Sequence, residues 1–184
     1  MHDRYRHLLL VIVAFLCAVA GVAKHAVALT FTEFPVPGAS PGSIAAGPDG
    51  ALWFTEASGN KIERITTGGV ITEFPLPAAA GSSPGGITAG PDGALWFIEA
   101  GVNAKIGRIT TAGAITEFPI PTANSEAYLG ITTGPDGALW FNEIFANQIG
   151  RITTDGVITE FKIPTASASA EGGIAQGPDG AVVH

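Results

Sequence analysis

The sequence predicts an all-β fold, a partial β-propeller of four-stranded antiparallel blades, and three observations support this. The octapeptide Gly-Pro-Asp-Gly-Ala-Leu-Trp-Phe occurs intact from Gly47, Gly90 and Gly134, and it begins again at Gly177. Its spacings are 43, 44 and 43 residues, a period typical of propeller blades. The chain also contains 25 glycines and 13 prolines, as many tight turns require.

The first repeat illustrates how each unit is expected to form a blade. The segment Gly47 to Gly50 has proline and aspartate at its centre and glycine last, which is type I turn chemistry. In the strand after it, Trp53 should face one side while Leu52 and Phe54 face the other. Both faces carry large apolar groups, so both should be covered by neighbouring sheets. The four predicted strands are residues 43–46, 51–56, 61–66 and 70–74.

The repeat also predicts the organisation of the chain. Residues 1–28 are expected to be a signal peptide, and residues 29–184 the propeller repeats. The expected units are a leading outer strand at 30–34, blades at about 43–77, 86–121 and 130–164, and a partial blade at 173–184.

Arginine and glutamate recur nine residues apart in every full repeat. If the intervening turns centre on their glycines, each pair lies directly across two strands and helps to set the register. The alternative is a rim of arginines that binds an anion. The regular repetition favours the structural interpretation. The pairs are Arg64 and Glu73, Arg108 and Glu117, and Arg151 and Glu160.

The N-terminus has the pattern of an export signal. Arg4 and Arg6 precede an apolar run from Leu8 to about Ala23, and a small-residue cleavage pattern ends at Ala28. The alternative is an uncleaved membrane anchor, for which the run is short. We therefore expect a secreted or periplasmic protein that has no membrane segment after cleavage, with Cys17 removed alongside the signal.

Composition narrows the classes of partner. The net charge of −7, with scattered lysines and arginines, argues against nucleic-acid binding. One cysteine and four scattered histidines leave no zinc-ligand pattern.

The motifs resemble those of a known family. Gly-Pro-Asp-Gly-Ala-Leu-Trp-Phe-Thr-Glu, Asn-Lys-Ile-x-Arg-Ile-Thr-Thr and Ile-Thr-Glu-Phe-Pro-Leu-Pro are similar to the blade of the virginiamycin B lyase (streptogramin lyase) family. The resemblance extends from Thr30 to about Ala181 and implies a seven-bladed propeller. It also implies magnesium-dependent elimination that opens the lactone ring of type B streptogramins. In that chemistry a histidine base removes a proton and the metal stabilises the enolate.

The resemblance places the catalytic histidines in Pro-His-x-Ile loops, and this chain has none there, so no catalytic residue is predicted. The equivalent positions are Gly42, Gly85, Leu129 and Gly172. The family's strand-end metal ligand corresponds to Glu56, Glu99 and Glu143, which are thus the implied magnesium ligands. A recurring structural role at the strand end is the alternative.

The chain is shorter than seven blades require, and its fourth repeat departs from the motif after Gly180. We therefore expect a truncated or frameshifted propeller, or a fragment of a longer product. An open arc of blades would leave two apolar faces bare, which predicts self-association.

Departures from the repeat mark a candidate binding site in the third blade. Glu126, Tyr128 and Asn142 break the pattern on the loop face, near Glu143, and Phe145 does so as well. These residues could bind a polar small molecule or a protein, although ordinary loop drift is the alternative. Two functions are consistent with the sequence: an inactive portion of a lyase-type propeller, and a non-enzymatic, extracytoplasmic binding propeller.

Overall fold

The computed structural model describes residues 7–10, 32–36, 40–77, 83–101, 103–123, 127–128, 130–164, 173–177 and 182–183. Every regular element within these ranges is a strand, which confirms the predicted all-β class. No helix in the described part of the chain is long and apolar enough to cross a membrane.

The chain divides into two compact units, and the first is Met1–Pro37. In this unit β1 (His7–Leu10) pairs antiparallel with β2 (Thr32–Pro35), and Leu9 lies opposite Glu33. Strand β2 overlaps the predicted leading strand, and β1 lies within the predicted signal segment. Most of residues 1–28 lies outside the described residues, so signal cleavage stays a prediction.

The second unit, Gly38–His184, contains three four-stranded antiparallel blades in which strand order follows the chain. Blade I comprises β3 (Pro41–Ala46), β4 (Leu52–Glu56), β5 (Lys61–Ile65) and β6 (Ile71–Pro75). Blade II comprises β7 (Ser83–Ala89), β8 (Leu95–Ala100), β9 (Lys105–Ile109) and β10 (Ile115–Pro119). Blade III comprises β11 (Ile131–Thr133), β12 (Leu139–Glu143), β13 (Gln148–Ile152) and β14 (Ile158–Lys162). A short pair follows, β15 (Ala175–Gln176) and β16 (Val182–Val183).

The first strands of the blades lie side by side, as expected of a propeller. Strand β7 contacts both β3 and β11, and β11 contacts β15. The Thr133 hydroxyl donates to the Ala89 carbonyl over 2.7 Å, which joins the first strands of blades III and II. The outer strands β6, β10 and β14 end each sheet.

The Pro-Asp-Gly turn explains why the octapeptide recurs. Gly50 N donates to the Gly47 carbonyl at 3.1 Å, and Gly50 adopts φ +74°, which favours glycine. The Asp49 carboxylate accepts hydrogen bonds from Trp53 Nε1 at 3.0 Å and from Arg64 Nε at 2.5 Å. Turn, second strand and third strand are thus joined through one carboxylate, which we call the Asp–Trp–Arg cluster.

The same cluster occurs in the other two blades. Each tryptophan also stacks on a phenylalanine of the fourth strand, with ring centroids 5.3 to 5.7 Å apart, so the cluster extends across three strands. The clusters with their phenylalanines are Asp49, Trp53, Arg64 and Phe74; Asp92, Trp96, Arg108 and Phe118; and Asp136, Trp140, Arg151 and Phe161.

The predicted arginine–glutamate pairs are wrong by one residue. Arg64 lies opposite Thr72, Arg108 opposite Thr116 and Arg151 opposite Thr159. The turn between the third and fourth strands has an odd number of residues between paired positions, and it contains glycine at positive φ. The extra residue moves each glutamate to the opposite face from its arginine. The arginines therefore pair with the turn aspartates, and Glu73 and Glu117 pair with Lys61 and Lys105.

Two apolar seams hold the blades together, as predicted from strands that carry large apolar side chains on both faces. In the first seam, Trp53 and Ile62 of blade I pack in one cluster with Leu95 and Phe97 of blade II. In the second, the corresponding blade II side packs with Leu139 and Phe141 of blade III. We call the tryptophan side of each blade its back face and the Leu-x-Phe side its front face.

Glycines allow the outer parts of the seams to close. A Cβ on Gly113 of blade II would lie 2.4 Å from the Phe74 ring of blade I. A Cβ on Gly156 of blade III would lie 2.2 Å from the Phe118 ring of blade II. Both glycines also have positive φ, +89° and +90°, so two independent constraints favour glycine there.

The two terminal blade faces differ in exposure. On the back face of blade III, Trp140 is half-buried and Phe161 is 45% exposed. On the front face of blade I, by contrast, Phe54 and Ile65 are buried. Among the described residues, the front face of blade I is thus more buried than the back face of blade III.

Candidate functional site

The residues predicted for a site lie along one edge of the blades, which we call the upper edge. It consists of the starts of β3, β7 and β11 and the ends of β4, β8 and β12, together with their adjoining loops. The Pro-Asp-Gly turns lie at the opposite edge because antiparallel strands alternate in direction. The upper edge thus brings the loop into each blade close to the end of its second strand.

Tyr128 lies at a close contact between two loops of the upper edge. Its side chain is 42% exposed, and its carbonyl accepts a hydrogen bond from Gly86 N at 2.9 Å. A Cβ on Gly85 would lie only 2.0 Å from the Tyr128 carbonyl oxygen, so this approach requires glycine. Tyr128 therefore closes the blade II–III junction and still presents its ring to solvent. Glu126 lies outside the described residues.

Asn142 is fully buried and binds the loop that enters its own blade. Its side-chain Oδ1 accepts a hydrogen bond from Gly130 N at 3.2 Å, and its backbone N donates to the Gly130 carbonyl at 3.2 Å. In blade I, Thr55 occupies the same position and accepts from Ser43 N at 3.0 Å. Asn142 thus holds the loop in place, a role that its polarity alone did not reveal.

The strand-end glutamates predicted as metal ligands are all buried. Glu56 is 1% exposed, and Glu99 and Glu143 are 0% exposed. Each lies on a different sheet, and the residues directly opposite them are Lys61, Lys105 and Gln148. Ser58 N donates to Glu56 Oε1 at 3.2 Å, and the Ser58 hydroxyl donates to the same oxygen.

These carboxylates do not fit a magnesium site. No group of three or more His, Cys, Asp or Glu residues within the described ranges could hold a metal ion. The three glutamates belong to separate blades, and each faces a cationic or amide side chain across its strand pair. Magnesium requires several oxygen ligands in near-octahedral geometry, which these positions do not supply together.

Glu99 is a buried acid of the upper edge with a perturbed pKa. Neither carboxylate oxygen accepts a hydrogen bond from the described residues, and the nearby Lys105 ammonium is paired with Glu117. Burial raises the pKa of Glu99 to about 7, and the Glu117 charge adds to this rise while Lys105 opposes it. Position 101 is glycine where the first blade has Ser58, so the hydroxyl donor of blade I is missing.

Glu63 is a buried acid that the repeat comparison should have identified. It stands where blades II and III have Gly107 and Gly150, and it is 0% exposed. Lys61 Nζ lies 2.9 Å from Glu63 Oε1 and 2.5 Å from Glu73 Oε1. Burial raises the pKa of Glu63, although its pairing with Lys61 opposes the rise.

Blade III replaces the lysine of this ion pair with an amide network. Thr122, from the connection after blade II, donates to Glu160 through its backbone N and its hydroxyl, both at 3.0 Å. Gln148 Nε2 donates to Thr122 Oγ1 at 3.2 Å. An adjoining cleft of about 300 Å³ at the upper edge is lined by Asn103, Ala104, Lys105, Pro119, Ile120, Pro121, Thr122 and Ala123.

The loop positions that correspond to the family's histidines have little room for side chains. A Cβ at Gly42 would lie 2.7 Å from Thr55 Oγ1, and one at Gly85 would lie 2.0 Å from the Tyr128 carbonyl oxygen. Leu129 and Gly172 lie outside the described residues. At Gly85, the Tyr128 carbonyl, in the loop before blade III, occupies the space into which a histidine side chain would extend.

Comparison with known proteins finds a family model that matches most of the chain. The family model described as "Virginiamycin B lyase family" matches residues 19–184. A virginiamycin B lyase from Bordetella bronchiseptica is 52% identical over 50 residues, which are 26% of this chain and 17% of that protein. A solved streptogramin B lyase has a TM-score of 0.77 and 46% identity, and the match covers 83% of this chain and 51% of that one.

A structure of catalytically inactive virginiamycin B lyase from Staphylococcus aureus with quinupristin is also similar. It has a TM-score of 0.73 and 48% identity, and the match covers 82% of this chain and 50% of that one. The chain therefore spans about half the length of these solved lyases.

Proposed function

Because the chain belongs to the virginiamycin B lyase family, we propose that its blades are a binding portion of a lyase-type propeller without elimination chemistry. Ligand recognition is assigned to the upper edge, where Tyr128 is 42% exposed and Phe145 is 70% exposed. Aromatic side chains with this exposure offer stacking surfaces for a ligand. The ligand class is taken from quinupristin, which is present in the structure of the inactive S. aureus lyase.

One observation carries the proposal that turnover is absent. An elimination needs a base within hydrogen-bond reach of the proton that it removes. The residues at the described loop positions are Gly42 and Gly85, which carry no base, and the Tyr128 carbonyl occupies the space above Gly85. The strand-end glutamates lie on three separate sheets, and no group of three or more His, Cys, Asp or Glu residues within the described ranges could hold a metal ion.

A binding and turnover assay with quinupristin tests this function. Purified chain is mixed with quinupristin and magnesium, and mass spectrometry follows ring opening while calorimetry follows binding, with an intact family lyase as the positive control. We expect binding without ring opening. Ring opening that a chelator abolishes would refute the lack of chemistry, and absence of heat would refute the binding assignment.

A second function, binding of a different extracytoplasmic ligand, is supported by the same exposed aromatic pair. Tyr128→Ala and Phe145→Ala should each weaken quinupristin binding if the drug occupies the upper edge. Binding that both variants leave unchanged would favour another surface. If the wild-type chain does not bind quinupristin, a different extracytoplasmic ligand is favoured.

Export is part of the proposal, and it depends on the basic, apolar and small-residue order of residues 1–28. Expression in a Gram-negative host followed by fractionation and N-terminal sequencing tests it. A mature N-terminus after Ala28 in the periplasm supports export, and retention of the full N-terminus in the cytoplasm contradicts it.

A further inference from the structure

Every aspartate in the described part of the chain precedes a glycine and occupies the same place in a turn. The aspartate is the third residue of the turn and the glycine is the fourth. In each turn the glycine N–H donates to the carbonyl of the first residue over 2.9 to 3.3 Å, and the glycine has positive φ. The pairs are Asp49-Gly50, Asp92-Gly93, Asp136-Gly137 and Asp155-Gly156.

The side chains of these aspartates differ although their turns are equivalent. Asp49, Asp92 and Asp136 each accept a hydrogen bond from a tryptophan Nε1 at 3.0 Å and another from an arginine Nε at 2.5 to 2.7 Å. Asp155, between β13 and β14, is exposed, and its carboxylate has no ion-pair or hydrogen-bond partner among the described residues. The same dipeptide is thus held in three turns and free in the fourth.

We propose that Asp155-Gly156 is a site of spontaneous backbone modification, at which Asp155 converts to isoaspartate through a cyclic succinimide. Gly156 N attacks Asp155 Cγ, and the side-chain hydroxyl leaves with the amide hydrogen as water. Water then adds to Cγ, which restores aspartate, or to the main-chain carbonyl carbon, which breaks the bond from that carbon to Gly156 N. The second route leaves the chain running through Cγ. One water is lost and one is gained, so the mass does not change.

The geometry at Asp155 favours this reaction. The attacking nitrogen and the carboxyl carbon belong to adjacent residues, so ring closure is intramolecular, and glycine has no Cβ to shield its nitrogen. The Asp155 side chain can rotate towards Gly156 without breaking a contact, whereas Asp92 must first release Trp96 and Arg108. The turn hydrogen bond of the glycine N–H is common to all of these turns and therefore does not distinguish them.

The hydrogen bonds that hold the other aspartates also make their carboxyl groups poor targets for a nucleophile. Burial tends to raise the pKa of Asp49, Asp92 and Asp136, but the bonds from tryptophan and arginine outweigh burial and lower it. An ionised carboxylate loses its oxygen less readily than a protonated one. The Asp–Trp–Arg clusters thereby protect their own turns from the reaction that we assign to Asp155.

Isomerisation at this turn should weaken the seam between blades II and III. Isoaspartate adds one carbon to the backbone directly before Gly156, where space is restricted. An added Cβ on Gly156 would lie 2.2 Å from the Phe118 ring of blade II, whereas one on Gly137 would meet nothing within 4 Å. The unprotected turn is therefore also one that packs against a neighbouring blade.

Peptide mapping of the aged, folded chain tests the proposal. The purified chain is kept at neutral pH in oxygen-18 water, so that each passage through succinimide leaves a heavy oxygen, and trypsin then releases residues 152–162 as one peptide. The other three aspartates fall in separate peptides that end at Lys61, Lys105 and Arg151. We expect label and isoaspartate at Asp155 to accumulate at least about tenfold faster than at those three, since one hydrogen bond to a charged group is worth about that factor.

A control in urea shows whether folding causes the difference, because all of these sites should react at similar rates in the unfolded chain. Asp155→Glu should lose the signal in the 152–162 peptide, since glutamate would have to form a larger ring. Trp140→Phe keeps a ring beside Phe161 but removes the donor to Asp136, so isoaspartate should rise about tenfold at Asp136 and not at Asp49 or Asp92.

The effect on the seam has its own readout. Aged wild-type chain should unfold at lower urea than fresh chain, and Asp155→Glu aged alongside it should not shift. Equal rates at the four aspartates of the folded chain would overturn the proposal, as would an Asp155 that reacts only in urea or a Trp140→Phe chain without a rise at Asp136. An unchanged urea midpoint in isomerised chain would refute the link to Phe118.

Discussion

Trp96 Nε1 donates a 3.0 Å hydrogen bond to Asp92 Oδ1, which ties the turn before β8 to the residue that fills the second seam. The same carboxylate accepts from Arg108 Nε at 2.7 Å and from Ala94 N at 3.4 Å. A fully buried indole is thereby satisfied by a residue of a surface turn. The octapeptide repeats as a unit because its turn and its core residue depend on each other.

Removal of this carboxylate should destabilise the protein. In Asp92→Ala the Trp96 indole N–H stays buried without its acceptor, and Arg108 loses its partner, so we expect a loss of about 2 to 4 kcal/mol in the free energy of unfolding. Urea unfolding measures the change. The control is Asp155→Ala in an exposed turn, which should change stability by no more than about 0.5 kcal/mol. Equal effects would show that the Asp–Trp–Arg cluster adds nothing.

Acid should weaken the Asp–Trp–Arg clusters in a defined pH range. Burial opposes ionisation of Asp136, but hydrogen bonds from Trp140 and Arg151 outweigh it and lower the pKa from 3.8 to about 2. A depressed pKa means that the folded state keeps its charge while the unfolded state binds a proton. The stabilisation is therefore present above 3.8 and is lost as the pH falls towards 2.

The measurement is the urea midpoint as a function of pH for the wild type and Asp136→Asn. The wild-type midpoint should fall more steeply than that of the variant between 3.8 and about 2. Parallel curves for the two proteins would mean that the pKa of Asp136 is not depressed by folding.

The repeat made the fold predictable, whereas the local environments of side chains depended on details that periodicity does not encode. The period of the repeat, and the strand around Trp53 with large apolar side chains on both faces, correctly predicted blades that pack through aromatic seams. The Arg64 partner was missed because one additional turn residue changes the face of every residue after it.

The candidate site was less predictable than the fold for a related reason. Asn142 breaks the repeat, which predicts a ligand contact, and the structure shows that its amide also replaces Thr55 as an acceptor for the loop. Glu63 departed from a glycine position, and that departure was the available signal for a buried acid. Burial depends on neighbouring sheets, which are adjacent only after the blades assemble.

Protonation of Glu99 should make the seam between blades I and II sensitive to pH near neutrality. Its pKa is raised from 4.5 to about 7, first by burial and then by Glu117. The folded state therefore binds more protons than the unfolded state between these values, so stability falls as the pH rises from 4.5 to about 7 and then levels off. The loss is at most about 3 kcal/mol, since one pKa unit corresponds to about 1.4 kcal/mol, and solvent screening near the edge of the sheet reduces it.

Glu99→Gln tests this because an amide keeps the size of the side chain and does not titrate. We expect the variant to show a flatter dependence of melting temperature on pH in that range than the wild type. Glu33→Gln is a control, since Glu33 is exposed on β2 and should leave the wild-type slope intact. A slope that survives in Glu99→Gln would assign the titration to another group.

The seam glycines allow strain and contact to be separated by a matched pair of substitutions. Gly156 and Gly137 both adopt positive φ, +90° and +72°, so alanine at either position incurs the cost of a left-handed backbone, about 1 to 2 kcal/mol. Only at Gly156 does the added Cβ also meet Phe118, at 2.2 Å, whereas nothing lies within 4 Å at Gly137. Gly156→Ala should therefore cost about 1 to 3 kcal/mol more than Gly137→Ala in urea unfolding, because Phe118 must leave its place in the seam. Equal losses for the two variants would mean that the Phe118 ring moves aside freely and that this contact does not hold blade III against blade II.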